Sequence, residues 1–544
     1  MLNKVENNPV LTITVVALIM LSINIDVLDV TIMEARNFIT AREMITDGNW
    51  LLTTMNGEAR YQKPPLPTWL AALSGLTFGM KNILALRFPG IIMVIITGVY
   101  AYLLSNKLLN NKTHSLINGF IAITSFYVIG IIIEAPWDIF THAFMLIAIY
   151  HLFQLFEKEK QYWQHTLLAG FFIGLSIMSK GPISFYALLL PFLISYGMTF
   201  KYKHFRAKLF SVFSIIILML LVGGWWFLYV RLEDPEIFLR ITNKETGNWG
   251  SYNVRPFYYY WSFFTQSGIW TIPAFISLLY PYLKTRVSNL KAYKFSFYWT
   301  ILSVILLSII PEKKSRYLMP VLIPLAINLG FYIEYLIREF KNIKDKRETI
   351  PVYFNFGLIA FIGIGFPIVG YLFLKGNTAI NWTLFTVASI LLLSIGIAIL
   401  FQLKQKNIKI VFYLIIGFMI SAFVFVLPFS KALKSDTYNS ISQLKTKVEK
   451  ENIKIYSFGA VSPEMIWDFG DKIPQIKIND STFNFPKEKK FGILVNGFSA
   501  SDTKRLKENY TIVQHDTYNL NRSEPNSKGY KKRLVSFYYV LTKK

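Results

Sequence analysis

Apolar residues fill this chain in long blocks separated by short polar breaks. Read as helices, the blocks lie near 10–30, 83–105, 115–133, 137–155, 165–178, 181–199, 209–231, 261–283, 294–311, 318–337, 351–374, 380–402 and 408–429, thirteen in all. Each approaches the ~20 residues a helix needs to cross a bilayer core. The block at 165–178 is short and runs into Lys180-Gly181-Pro182, so it and the next can also be one broken element. Beyond residue 429 the period changes. "IKIYSFGAV", "KFGILVNGF" and "RLVSFYYVL" are short strand-like runs set among polar, helix-compatible stretches. The pattern predicts an all-α polytopic membrane domain over 1–429 and a small α/β domain over 430–544.

Loop charge orients the prediction. With the N-terminus in the cytoplasm, the loops 106–114, 156–164, 200–208, 284–293, 338–350 and 403–407 face the same compartment, and each carries at least two Lys or Arg. That follows the positive-inside rule and sends 430–544 to the far side of the membrane. The far side also receives a long loop, about 31–82. Within it, 33–47 has helical spacing but is too polar to span, so it is expected to lie along the interface. Residues 66–80 form a second short helix, which Pro64 and Pro65 introduce where missing N–H groups cost little.

Composition then removes alternatives. Of 544 residues, 53% are hydrophobic and only 16% charged, too apolar a balance for a soluble protein of this size. No cysteine is present, which excludes disulfides, thiolate metal sites and cysteine nucleophiles. The first apolar run has no cleavage pattern after it and reads as a retained helix. The net charge of +25 is accounted for mainly by inside loops, so membrane lipids, not nucleic acid, are the expected partners.

The informative charges break the inside rule. Arg36, Arg42, Arg60, Lys63, Lys180, Lys313, Lys314 and Arg316 all fall on the far side near span ends. Cations held at such a boundary require anionic partners, and a phosphate is the simplest partner for the set. Carboxylates share that face: Asp26 and Asp29 after the first span, Glu34 in the loop helix, and Glu134 and Asp138 around "EAPWD". His142 lies one turn after Asp138. That pair is too small to claim a metal site, so no cofactor is assigned. Trp50, Tyr61, Trp69, Trp137 and Tyr317 offer ring faces to a sugar. Cations can neutralise a leaving phosphate, and a carboxylate can take the proton of an acceptor hydroxyl.

These residues resemble a known family. "MEARNFITAREMITDGNWLLTTMNGEARYQKPPLPTWL" is similar to the first periplasmic loop of the lipid A aminoarabinose transferases, members of the GT-C superfamily related to protein O-mannosyltransferases. The correspondence includes Glu34, Arg36, Arg42-Glu43-Met44, Gly48-Asn49-Trp50, Asn56-Gly57, Lys63-Pro64-Pro65-Leu66 and Trp69. Asp138, "SKGPI" at 179–183 and "KKSRYLMPVLIPLA" at 313–326 follow in order, with Lys313 and Tyr317 in matching places. The resemblance implies a GT-C fold of about thirteen transmembrane helices and a donor phosphate bound by Arg36, Lys63, Arg316 and Tyr317. Arg60, Lys180, His142 and Trp69 are further candidates.

Two positions depart from the pattern. Met33 stands where the family has an aspartate, and Gln62 where it has a glutamate. Asp29 or Asp26 replaces the missing acid by a shift, Glu34 serves alone, or Asp138 takes the role; otherwise the activity differs or is lost. The resemblance implies an inverting glycosyltransferase that takes a sugar from a polyprenyl-phosphate donor to lipid A, another glycolipid or glycan, or a protein. The competing readings are a flippase for lipid-linked sugars and a degenerate envelope-assembly protein.

Overall fold

The thirteen apolar runs all become helix or helical turns, but several are not single straight rods. The computed structural model describes residues 2–203, 205–476 and 483–544. Among them, nine helices are long and apolar enough to cross a bilayer: Pro9–Val27, Ile83–Leu109, Pro136–Glu157, Phe205–Gly223, Leu290–Ile309, Ser315–Glu339, Lys346–Leu374, Trp382–Lys404 and Ile408–Lys431. A tenth is the pair Lys112–Thr124 and Phe126–Glu134, bent by 40°. The bend falls at Ser125, whose backbone is extended (φ −65°, ψ 124°), while the Thr124 and Ser125 hydroxyls donate back to the Phe120 and Ile121 carbonyls. Such back-bonding opens the helical ladder.

The other three expected spans are shortened or broken. Helix Trp163–Lys180 stops at Gly181, whose φ of +79° and ψ of −162° suit glycine alone. The next run begins with a π-helical turn, Phe185–Leu189, and continues as Leu190–Thr199. The run at 261–283 is divided among a 3₁₀ helix, Phe263–Trp270, and two short α-helices, Thr271–Ser277 and Tyr280–Leu283.

The chain divides into two compact units. The first comprises Met1–Asp26, Tyr61–Leu70 and Ile83–Pro428. Helices Pro136–Glu157 and Ser315–Glu339 are almost wholly enclosed, whereas Lys346–Leu374 leaves most of its apolar surface outward, as a lipid-facing helix does. The N-terminal segment and the last span are tied twice. Asn24 donates to the Val424 carbonyl (2.6 Å), and Glu6 pairs with Lys409 (2.7 Å) and accepts from the Tyr413 hydroxyl (3.0 Å).

Small residues let backbones approach elsewhere in this unit. A Cβ on Gly174 would stand 2.6 Å from the Val222 Cβ, and one on Gly223 would stand 2.8 Å from the Gly174 carbonyl oxygen. Gly174→Val therefore forces helices Trp163–Lys180 and Leu209–Gly223 apart. It is expected to cost about 1–3 kcal/mol, read as a lowered unfolding midpoint of the purified protein. An unchanged midpoint would refute the close packing.

The second unit comprises Val27–Arg60, Ala71–Asn82 and Phe429–Lys544. Its four-stranded sheet has the order Ile455–Ser457, Lys490–Val495, Val535–Lys543, Tyr510–Asn519. The first two strands are parallel and the remaining neighbours antiparallel. Three of the strands fall on the three strand-like runs of the sequence. The fourth, Tyr510–Asn519, carries polar residues on most positions and was not visible as a strand.

Helix Ile32–Asp47 belongs to this second unit. Thr31 and Glu34 close a capping box at its start, and Gly48 (φ +76°) ends it. Its partner is protein: Phe38 packs on Trp467 with ring centroids 5.3 Å apart, and Ile39 enters a core with Ile441, Met465 and Ile466. The Asn56-Gly57 turn has positive φ at both residues and joins the short strands Thr54–Met55 and Glu58–Ala59. Glu43 holds that turn by accepting from Thr54 Oγ1 and Asn56 N (both 2.6 Å). Asn56 in turn exchanges two hydrogen bonds with the Ile473 backbone (2.7 and 2.9 Å).

Candidate functional site

Asp138 sits in the first turn of helix Pro136–Glu157, and Lys180 is the last residue of helix Trp163–Lys180. Their charged groups form an ion pair in which the Asp138 side chain is 1% and the Lys180 side chain 9% exposed. Burial of both charges requires this pairing, because either alone would lack solvation. The Lys180 ammonium also lies 5.1 Å from the centroid of the Tyr317 ring. Lys63 and Arg316 are near enough to act on its charge. The Arg316 guanidinium stands 5.8 Å from the same ring centroid.

The loop before helix Ser315–Glu339 completes the cluster. Lys314 pairs with Glu312 and donates to the Tyr317 hydroxyl (3.3 Å), which donates to Glu312 Oε1 (3.3 Å). Lys313, which the family pattern singles out, turns elsewhere. Its ammonium donates to the Ile310 carbonyl (2.6 Å) and the Arg255 carbonyl (3.1 Å), fastening two loops together. Burial lowers its pKa. The cation that reaches Tyr317 from this loop is thus its neighbour, Lys314.

The short segment Tyr61–Leu70 of the first unit explains the placement of Lys63. Pro64 and Pro65 are buried and helix Leu66–Phe78 begins directly after them. On one side, the Tyr61 hydroxyl donates to Asp234 (2.9 Å), the residue that caps helix Pro235–Ser251. Burial and that bond push the Tyr61 pKa up to about 12. On the other, Trp69 stacks on Trp225 with centroids 6.2 Å apart and planes inclined by 25°. Two aromatic anchors therefore bracket the lysine.

The remaining candidates separate. His142 is buried, with Nδ1 2.6 Å from the Ser184 hydroxyl. Asp26, a residue of the first unit, is exposed in the turn Ile25–Val27. Asp29, Glu34, Arg36 and Arg60 belong to the second unit. There Asp29 is held by two nitrogens of Arg522, one at 2.6 Å, and Arg522 also donates to the Ser430 and Val27 carbonyls. Glu34 is fully buried and its carboxylate accepts from the Thr31 amide (3.0 Å). Arg60 donates to the Arg36 carbonyl (2.5 Å) and Thr40 Oγ1 (2.9 Å). Burial first, and the Arg36 charge second, lower the Arg60 pKa. Among the described residues, no three His, Asp or Glu gather as a metal site would require.

Sequence reasoning passed over Glu312 and Arg522. Glu312 stands in "PEKKSR", where the cations drew attention, and nothing in its own surroundings marks it. Arg522 lies in a polar stretch nearly five hundred residues from Asp29 (a separation of 493), beyond any local signal.

Comparison with known proteins agrees with this architecture. Residues 62–226 match the dolichyl-phosphate-mannose-protein mannosyltransferase family. An uncharacterized protein of Aquifex aeolicus is 28% identical over 56% of this chain and 60% of its own length. An undecaprenyl phosphate-alpha-4-amino-4-deoxy-L-arabinose arabinosyl transferase of Proteus mirabilis is 24% identical over 61% of this chain and 59% of its own. The chain thus matches these relatives over less than two thirds of their length. The crystal structure of ArnT from Cupriavidus metallidurans bound to undecaprenyl phosphate superposes with a TM-score of 0.69, covering 98% of this chain and 97% of that one at 13% identity. The chain shares the fold of that structure: a bundle in which, among the described residues, nine helices are long and apolar enough to cross a membrane, with a small C-terminal sheet domain.

Proposed function

We propose that this chain is a membrane glycosyltransferase that moves a sugar from a polyprenyl-phosphate donor to an envelope acceptor at the periplasmic face of a bacterial cytoplasmic membrane. The observation that carries the reading is the cluster of Lys180, Lys314 and Arg316 around the Tyr317 ring, with Lys63 near enough to act on the Lys180 charge and the buried Asp138 paired to Lys180. Four cations near two carboxylates leave an excess of positive charge suited to a phosphate. The family match over 62–226 and the undecaprenyl-phosphate-bound relative of the same fold support the same donor.

In this mechanism the acceptor oxygen attacks the anomeric carbon, and the sugar–phosphate bond breaks with its electron pair on the departing phosphate. Lys63, Arg316 and Lys180 offset the charge that develops there. Attack opposite the leaving phosphate inverts the anomeric centre. Asp138 is the carboxylate best suited to take the acceptor proton. Asp29 grips Arg522 and Glu34 completes a helix cap, whereas Asp138 is paired with a lysine that a phosphate can draw away. Arrival of the donor would exchange Lys180 from Asp138 to the phosphate and free the base at the moment it is required.

The test is a transfer assay with purified full-length protein in liposomes. Radiolabelled polyprenyl-phosphate sugars serve as donors and membrane extract as acceptor. Label reaching an acceptor, with stoichiometric release of free polyprenyl phosphate, is the expected result. Label crossing the bilayer still attached to its carrier would establish a flippase and end the transferase reading.

A further inference from the structure

Glu312 is a carboxylate inside a cluster of cations, where it should repel the anion the cluster suits. Its residue is 9% exposed, and Oε1 is engaged by both the Lys314 ammonium and the Tyr317 hydroxyl. Tyr317 has one hydroxyl proton, and it points to Glu312. Lys314 donates to the same tyrosine oxygen. Glu312 therefore already occupies two of the groups a phosphate would use. The backbone holds it there: Glu312 pairs with Val254, the Lys313 amide donates to the Asn253 carbonyl, and the Arg255 amide donates to the Pro311 carbonyl. The second carboxylate near Tyr317, Asp138, is matched by Lys180, and Tyr186 lies near enough to feel both carboxylates.

We infer that Glu312 is a resident counter-anion that sets the affinity of the site, and that it discriminates against the phosphate product. This rests on the proposed phosphate site. A polyprenyl-phosphate sugar is a phosphodiester with a single negative charge. The polyprenyl monophosphate left after transfer is a monoester carrying about −1.5 to −2 at pH 7. Repulsion by a fixed carboxylate scales with the ligand's charge, so Glu312 weakens product more than donor. A fully cationic pocket would hold its own product most tightly and turn over slowly. A built-in carboxylate offsets that while leaving Lys63, Arg316 and Lys180 to act on the transition state.

The experiment is equilibrium binding to full-length protein in detergent, using polyprenyl monophosphate and a polyprenyl-phosphate sugar as separate probes, for wild type, Glu312→Gln, Glu312→Asp and Lys63→Ala. Glu312→Gln is expected to bind the monophosphate roughly tenfold tighter at pH 7.5 and the phosphodiester by a clearly smaller factor. At pH 5.5, where the monoester approaches a single charge, the difference between the two ligands should shrink. Glu312→Asp keeps the charge and should still bind the monophosphate more weakly than Glu312→Gln does. Equal or weaker monophosphate binding by folded Glu312→Gln, or equal tightening of both ligands, would overturn the inference. Monophosphate binding left unchanged by Lys63→Ala would instead overturn the phosphate site beneath it.

Discussion

Lys180→Ala is expected to abolish transfer and to destabilise the protein by about 3–5 kcal/mol. The pair it breaks is buried on both sides, and removal of the lysine leaves the Asp138 carboxylate without its cation in a low-dielectric setting. Thermal unfolding of the purified variant measures the stability arm and the liposome assay the activity arm. The double variant Asp138→Asn/Lys180→Met removes both charges at similar volume. It should recover most of the lost stability and none of the transfer. That split separates a pair that only holds the fold from one that also performs the reaction. A folded, wild-type-stable and active Lys180→Ala protein would exclude both roles.

Lys63→Ala is expected to lower transfer by about a hundredfold or more, the usual consequence of removing one fixed positive group from a developing oxyanion. Its effect on stability should be small, within about 0.5 kcal/mol, because Tyr61 and Trp69 anchor the segment on either side. Lys63→Arg restores charge with a different shape and should recover part of the activity. The measurements are initial rates against donor concentration and the melting profile of the same preparation. Transfer at wild-type rates in Lys63→Ala would remove the cornerstone of the donor site.

The periods in the sequence were enough to find the membrane domain, because hydrocarbon demands long apolar helices whatever their tertiary arrangement. The breaks were harder. Ser125, Gly181 and Gly268 interrupt helices through backbone angles and close contacts that no hydropathy average records. The cluster of Lys63, Asp138, Lys180, Arg316 and Tyr317 was legible because each residue stood out as a charge or ring at an apolar border. Its internal wiring was not: Lys313 and Lys314 differ only in which way the chain turns between them. Much of the first-loop motif proved to be architecture. Glu43 holds a turn, Asn56 holds the Ile473 backbone and Glu34 caps a helix. A recurring residue type marks a constraint without saying whether the constraint is chemical or mechanical.

The hydrogen bonds between Asn56 and Ile473 join residues 417 positions apart. At a synthesis rate of about 5–20 residues per second, the first loop emerges some ~20–80 s before the strand and helix that will enclose it have been made. During that interval the buried face of Ile32–Asp47 has no permanent neighbour. A chain truncated between Lys431 and the sheet should therefore keep its apolar spans while the Ile32–Asp47 loop, deprived of the residues that cover it, becomes protease-sensitive.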